Sequence, residues 1–154
     1  EKCKKERINI KIYQQCLDYQ NKELEKEYRS FNIEHEIFNF KHNILEYFSK
    51  ADIAITRSGS SILAELLNCN LPIISIPLPT SADNHQLKNG KHFEEKGYGF
   101  LVEENMIDEK LFKLIKSIHK DKALLYQMKE RQKKHSDKKV FKKIQTHIEE
   151  LLND

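Results

Sequence analysis

With 154 residues, 38% hydrophobic and 33% charged, the chain can bury one continuous core beneath a heavily solvated surface. No apolar run approaches the roughly 18–20 residues that a bilayer-crossing helix needs, which excludes a spanning segment. The net charge of +3 is mild. Lysines crowd Lys129 to Lys143 among Glu130, Asp137 and polar residues, the composition of a solvated helix face rather than of a nucleic-acid surface.

Glu1 to Arg7 is all charge apart from Cys3, and no apolar stretch follows, so no signal peptide is expected. The absence of an initiating methionine suggests a chain cut from something longer. Cys3, Cys16 and Cys69 are odd in number and irregularly spaced, which fits a reduced, cytoplasmic compartment with neither disulfides nor a zinc site.

Ile8, Ile10 and Ile12 alternate as in a strand. Asp18 to Arg29 is polar, with Leu24 and Tyr28 four apart, and reads as a surface helix. Glu36 to Phe40 is a second strand, and Asn43 to Lys50 a helix that Asn43 can cap. Asp52 to Thr56 is a third strand. It runs into Arg57, Ser58 and Gly59, then into a helix carrying Ile62, Leu63, Leu66 and Leu67 that ends at Asn68 to Asn70. Leu71 to Ile76 is a fourth strand. The loop Pro77 to Ala82 leads to a helix from Asn84 to Lys96, which Gly97 and Gly99 stop. Phe100 to Val102 is a short strand, and the chain from Asp108 onward reads as helical.

Strands alternating with helices at this spacing predict one α/β domain over residues 1–154: a doubly wound, mostly parallel sheet with helices on both faces and a helical C-terminal tail. Ligands of such sheets bind beyond the carboxyl ends of the strands. Two segments begin there, Arg57 to Glu65 and Pro79 to Asn89.

In the first segment, small residues precede a helix whose opening N–H groups lack partners and carry partial positive charge. That combination suits a phosphate or diphosphate. It reads equally as an ordinary helix capped by Ser58, Ser60 or Ser61. Glu65, one turn on, is unfavourable beside a diphosphate unless it accepts hydrogen bonds from neutral hydroxyls, as a ribose diol would provide; a glutamate supporting the helix start is the plainer alternative. The second segment runs through Asp83, Asn84, His85 and Gln86, with Asn89 on the face of His85, and offers donors and acceptors for a sugar. A cap at Asp83 or Asn84 would explain its start but not its continuation through Gln86.

The run Ala51 to Ser61, with Glu65, Pro72, Pro77, Asp83-Asn84-His85-Gln86 and Asn89, resembles the C-terminal domain of the MurG family of N-acetylglucosaminyltransferases. The resemblance covers most of the chain and is strongest from Phe40 to Leu101. It implies the Rossmann-like donor half of a GT-B, inverting glycosyltransferase that passes GlcNAc from UDP-GlcNAc to a lipid-linked muramoyl-pentapeptide in peptidoglycan synthesis. By that resemblance Arg57 belongs to the binding segment, and the backbone of Ser58, Gly59, Ser60, Ser61 and Ile62 cradles the α-phosphate. Glu65 holds the ribose, Lys41 offers its backbone to uracil, Ile44 packs on the ring, and His85, Gln86 and Asn89 meet GlcNAc. Ile62 stands where the family usually has Thr, and Gly90 where it usually has Ala.

The family also has a glycine-rich loop before the strand at Ile8, and an N-terminal domain with the acceptor site and presumed base; this chain contains neither. No catalytic residue is therefore expected within it. No Asp-x-Asp is present, so the resemblance implies no metal and no cofactor, with a helix terminus neutralising the leaving UDP. It further implies a cytoplasmic protein, peripheral on the inner face of the membrane, with no nucleic-acid partner. The alternatives are the catalytic subunit of a dolichol-linked GlcNAc transferase and a non-catalytic nucleotide-sugar-binding module.

Overall fold

The structure, a computed structural model, describes residues 1–135, 145–149 and 152. Its strands are β1 (Lys11–Gln15), β2 (Glu34–Phe38), β3 (Ala54–Arg57), β4 (Ile73–Ile76) and β5 (Gly99–Leu101). Between and after them lie helices α1 (Lys2–Lys5), α2 (Asn21–Ser30), α3 (Leu45–Lys50), α4 (Ser60–Asn68), α5 (His85–Glu95), α6 (Phe112–Lys120) and α7 (Ala123–Lys133). All strand pairings are parallel, and β1 pairs with β2 while β3, β4 and β5 pair in that order. The expected α/β class holds, but the sheet is in two pieces: no ladder joins β1 to β3.

The pieces are held together by helices on both faces. On one face Leu63, Leu66, Leu71 and Ile73 form a core joined by Phe48 and Ala51 of the α3 region and by Phe93 of α5. On the other, Ile74 and Val102 pack against Ile118 of α6 and Leu125 of α7. Helix α3 also reaches β1 and β2, where the Tyr47 ring meets Tyr13 at 5.6 Å and Phe38 at 4.2 Å and its hydroxyl donates to Glu36 at 2.6 Å. That hydrogen bond, together with burial, pushes the Tyr47 phenol up to about 12.

Helices α2, α4 and α5 stop by one device. Asn32, Asn70 and Gly97 take left-handed φ values of 54°, 54° and 70°. The next amide in each case bonds five residues back, as Leu71 N–H does to Leu66 O at 3.0 Å. These are Schellman stops, and asparagine tolerates the left-handed geometry that glycine adopts freely. Gln132 of α7 is buried and donates to Leu71 O at 3.0 Å and Tyr98 O at 2.8 Å, pinning α7 beneath β4 and β5.

Three expectations shift. The first strand is Lys11–Gln15 rather than Ile8 to Ile12, because buried Ile8 belongs to the link from α1. The second is Glu34–Phe38, so Phe40 is left exposed in the following loop. The continuous helix expected from Asp108 begins as a wide turn, Ile107–Leu111, and breaks at Asp121, whose carboxylate accepts from Ala123 N–H at 2.9 Å. Residues 136–144, part of the lysine-rich segment, lie outside the described residues.

Candidate nucleotide-sugar site

The β3–α4 turn sits at the carboxyl end of the parallel strands. Gly59 is the N-cap of α4, and no side chain caps the helix. The serine-cap alternative therefore does not apply: Ser58 is fully buried with no hydrogen-bond partner for its hydroxyl, while Ser60 and Ser61 lie within the helix. The first amide to bond back is Leu63 N–H, to Gly59 O at 3.1 Å. Helical geometry leaves the amides of Ser60, Ser61 and Ile62 as the outward donors at the positive end of the dipole. A Cβ at Gly59 would meet only Ile62 Cγ2, at 3.8 Å, so the fold does not demand glycine there and the approach to these amides is open.

Glu65 is exposed on the second turn of α4, and no hydrogen bond or ion pair among the described residues engages its carboxylate. Arg57 is committed elsewhere. Its guanidinium pairs with Glu104 at 2.5 Å and donates to Pro77 O at 3.3 Å, strapping the ends of β3 and β4 to the turn after β5. Half-exposed as it is, the pair contributes at most about 1 kcal/mol and acts as a geometric brace. Sequence reasoning missed Glu104, which lies 47 residues away and belongs to no motif.

The second segment folds differently from expectation. Helix α5 starts at His85, and neither Asp83 nor Asn84 caps it through its side chain. Both take left-handed backbone, with φ values of 48° and 53°. Their short polar side chains tolerate that conformation, whose cost for other residues is roughly 1–2 kcal/mol each. Strain of this kind concentrates at functional loops. His85 is exposed, and its Nδ1 faces Ala82 O at 2.8 Å, so Nδ1 carries the proton and Nε2 is left as an acceptor when the ring is neutral. Gln86 Oε1 accepts from Leu78 N–H at 3.0 Å, leaving its amide hydrogens to donate.

Asn89 brings the two segments together, its side-chain amide donating to Ser58 O at 3.1 Å. The next residue explains the close approach. A Cβ on Gly90 would lie 2.7 Å from Leu101 Cδ1, 3.1 Å from Ser75 Oγ and 3.2 Å from Ser58 Oγ. Lys41 and Ile44 stand apart on the β2–α3 loop, exposed and half-buried, and among the described residues no hydrogen bond or ion pair ties them to the β3–α4 turn. Among the described residues no group of three or more His, Cys, Asp or Glu is placed to hold a metal, and no helix is long and apolar enough to cross a membrane.

Comparison with known proteins places the chain in a family. The Pelagibacter ubique protein named UDP-N-acetylglucosamine–N-acetylmuramyl-(pentapeptide) pyrophosphoryl-undecaprenol N-acetylglucosamine transferase is 37% identical over 122 residues, 78% of this chain and 34% of that protein. The protein of the same name from Rickettsia massiliae is 42% identical over 105 residues, 68% of this chain and 27% of that one. The chain thus spans about a third of the length of these curated relatives. The crystal structure of Acinetobacter baumannii MurG matches 86% of this chain and 39% of its own with a TM-score of 0.75 at 21% identity, a likeness of fold. The family model of the glycosyltransferase family 28 C-terminal domain matches residues 1–144, and the chain belongs to that family.

Proposed function

We propose that this chain is the donor-binding half of a metal-independent, inverting N-acetylglucosaminyltransferase that holds UDP-GlcNAc. The observation that carries the reading is the bond from Asn89 to Ser58 O, which sets an uncapped helix N-terminus beside an exposed polar helix start. The relatives' names, which specify GlcNAc transfer to a muramyl-pentapeptide pyrophosphoryl-undecaprenol, support the same donor.

In this reading the amides of Ser60, Ser61 and Ile62 face the diphosphate, and Glu65 accepts from the ribose hydroxyls. Lys41 and Ile44 form the uracil end, with the sugar lying toward His85 and Gln86. An acceptor hydroxyl, presented by a domain outside residues 1–154, attacks the anomeric carbon. The new C–O bond forms as the bond to the β-phosphate oxygen breaks, the electron pair leaves on UDP, and the acceptor's proton passes to a base outside this chain. The contribution of this half is orientation and fixed dipoles aimed at the charge gathering on UDP. The acceptor is a lipid-linked muramoyl-pentapeptide, met at the cytoplasmic face of the membrane. Titration with UDP-GlcNAc, UDP-GalNAc and GDP-mannose tests the reading. UDP-GlcNAc should bind tightest, with no loss in EDTA, and equal binding of GDP-mannose would contradict it.

A further inference from the structure

The two loops of the candidate site are tied from both faces of the sheet. On the Ile73 face, which α5 covers through Phe93, Gly90 packs close to Ser75 and Ser58, and its neighbour Asn89 donates to Ser58 O. The tie on the Ile74 face comes from Arg57. Side chains alternate along a strand, and Arg57 stands in register with Ile76, which packs with Ile74. From the end of β3, Nη1 of Arg57 donates to Pro77 O at 3.3 Å, just past β4. The same nitrogen meets the Glu104 carboxylate at 2.5 Å, beyond the end of β5. One guanidinium therefore spans the carboxyl ends of three strands.

The turn that carries Glu104 is the fixed partner. Val102, 0% exposed, enters it with its N–H bonded to Ser75 O at 3.0 Å, and Met106 N–H closes it on Glu103 O at 2.8 Å. Ile107 and Leu111 leave it packed against the Ile74 core. The loop that starts at Pro77 has less support. Its other hydrogen bonds among the described residues stay within residues 78–86, from Leu78 N–H to Gln86 Oε1, Ser81 N–H to Leu78 O and Asn84 N–H to Ser81 O. A lone carboxylate near a diphosphate would repel it, but Arg57 takes up the Glu104 charge.

We propose that Glu104 is a positioning residue for donor binding: through Arg57 it sets the distance between the α4 turn and the loop from Pro77 to Asn84. The inference rests on the donor-binding reading, and it gives Arg57 the spacing of the loops rather than a phosphate contact. A nucleoside diphosphate sugar, which reaches both loops, feels that spacing. A nucleoside diphosphate held at α4 alone does not.

Glu104→Asp is the test, because it keeps the charge and withdraws the carboxylate from Arg57 by one methylene. UDP-GlcNAc affinity should fall about threefold to fivefold, within the ceiling for a half-exposed ion pair. UDP affinity and the thermal midpoint should not change. In an Arg57→Gln background the same substitution should have no effect on UDP-GlcNAc, since the relay is already gone. Equal losses of UDP and UDP-GlcNAc, a gain, no change, a loss that tracks a lowered midpoint, or an undiminished loss in the Arg57→Gln background would each overturn the proposal. A readout without nucleotide separates it from the donor reading. In the unliganded chain, Glu104→Asp should speed amide hydrogen exchange at Leu78, Ser81 and Asn84 by about threefold or more and leave α7 unchanged. A wild-type chain that binds neither ligand sinks the donor reading, while faster exchange at these amides still shows Glu104 holding the loop. Exchange at the parent rate sinks the role of Glu104 even where UDP-GlcNAc binds.

Discussion

The side-chain amide of Asn89 donates to the main-chain carbonyl of Ser58 across 3.1 Å, tying the start of α5 to the turn that opens α4. The bond joins residues 31 apart and holds the two loops side by side. Asn89→Ala removes the donor and should cost about 0.5–1.5 kcal/mol of stability. Asn89→Asp sets carboxylate oxygen against carbonyl oxygen and should cost more. Urea denaturation ranks the two, and an Asp variant as stable as the wild type would contradict the role given to Asn89.

Glu65 is the residue that separates a ribose contact from support of the helix start. Glu65→Gln preserves shape but weakens two charge-assisted bonds of roughly 1.5–3 kcal/mol each, so UDP binding should fall by tens of fold. The loss should largely vanish with 2′,3′-dideoxy-UDP, whose partner hydroxyls are gone. Equal losses for both ligands in this cycle would leave Glu65 only its dipole contribution of about 0.3–1 kcal/mol.

Tyr47 predicts an alkaline signature. Its phenol is raised from 10.0 to about 12 by the hydrogen bond to Glu36 and by burial. Below pH 10 both folded and unfolded chains hold the proton, and the contribution is fully present. Between about 10 and 12 the unfolded chain releases it first, so stability falls as pH rises. Denaturant titrations across this range should show the fall, and Tyr47→Phe should remove that part of the slope. An unchanged slope would argue against the Glu36 contact.

Gly99 opens β5 opposite Ile73, and a Cβ there would lie 2.3 Å from Ile73 O. The obstacle is backbone, so no rotamer change relieves it. Gly99→Ala should cost about 3 kcal/mol or more by forcing β4 and β5 apart. A thermal midpoint near that of the parent chain would contradict the register.

The middle of the fold was legible because local signals agreed there. Apolar strands ran into Gly59 at one helix start and into Asn70 and Gly97 at two helix ends, and the structure sets β3 to β5 within two residues of expectation. The N-terminal third was less legible. The alternation of Ile8, Ile10 and Ile12 marks a strand, but only tertiary packing decides that Ile8 is buried before it and that Tyr13 meets Tyr47 within it. Nor could spacing reveal the paired left-handed residues Asp83 and Asn84, or Glu104 beside Arg57, which depend on how separate loops meet. The separation of β1 from β3 was illegible for the same reason, since both strands have ordinary local sequence.

The central claim is that the start of α4 receives the diphosphate of UDP-GlcNAc, and backbone amide chemical shifts of the labelled chain test it most directly. On addition of millimolar UDP-GlcNAc, the amides of Ser60, Ser61 and Ile62 should show the largest shifts, with His85 and Gln86 following. UDP should reproduce the shifts at α4 but not those at His85 and Gln86. Saturable binding that leaves Ser60 to Ile62 unmoved, or identical shifts at His85 and Gln86 with and without the sugar, would contradict the account.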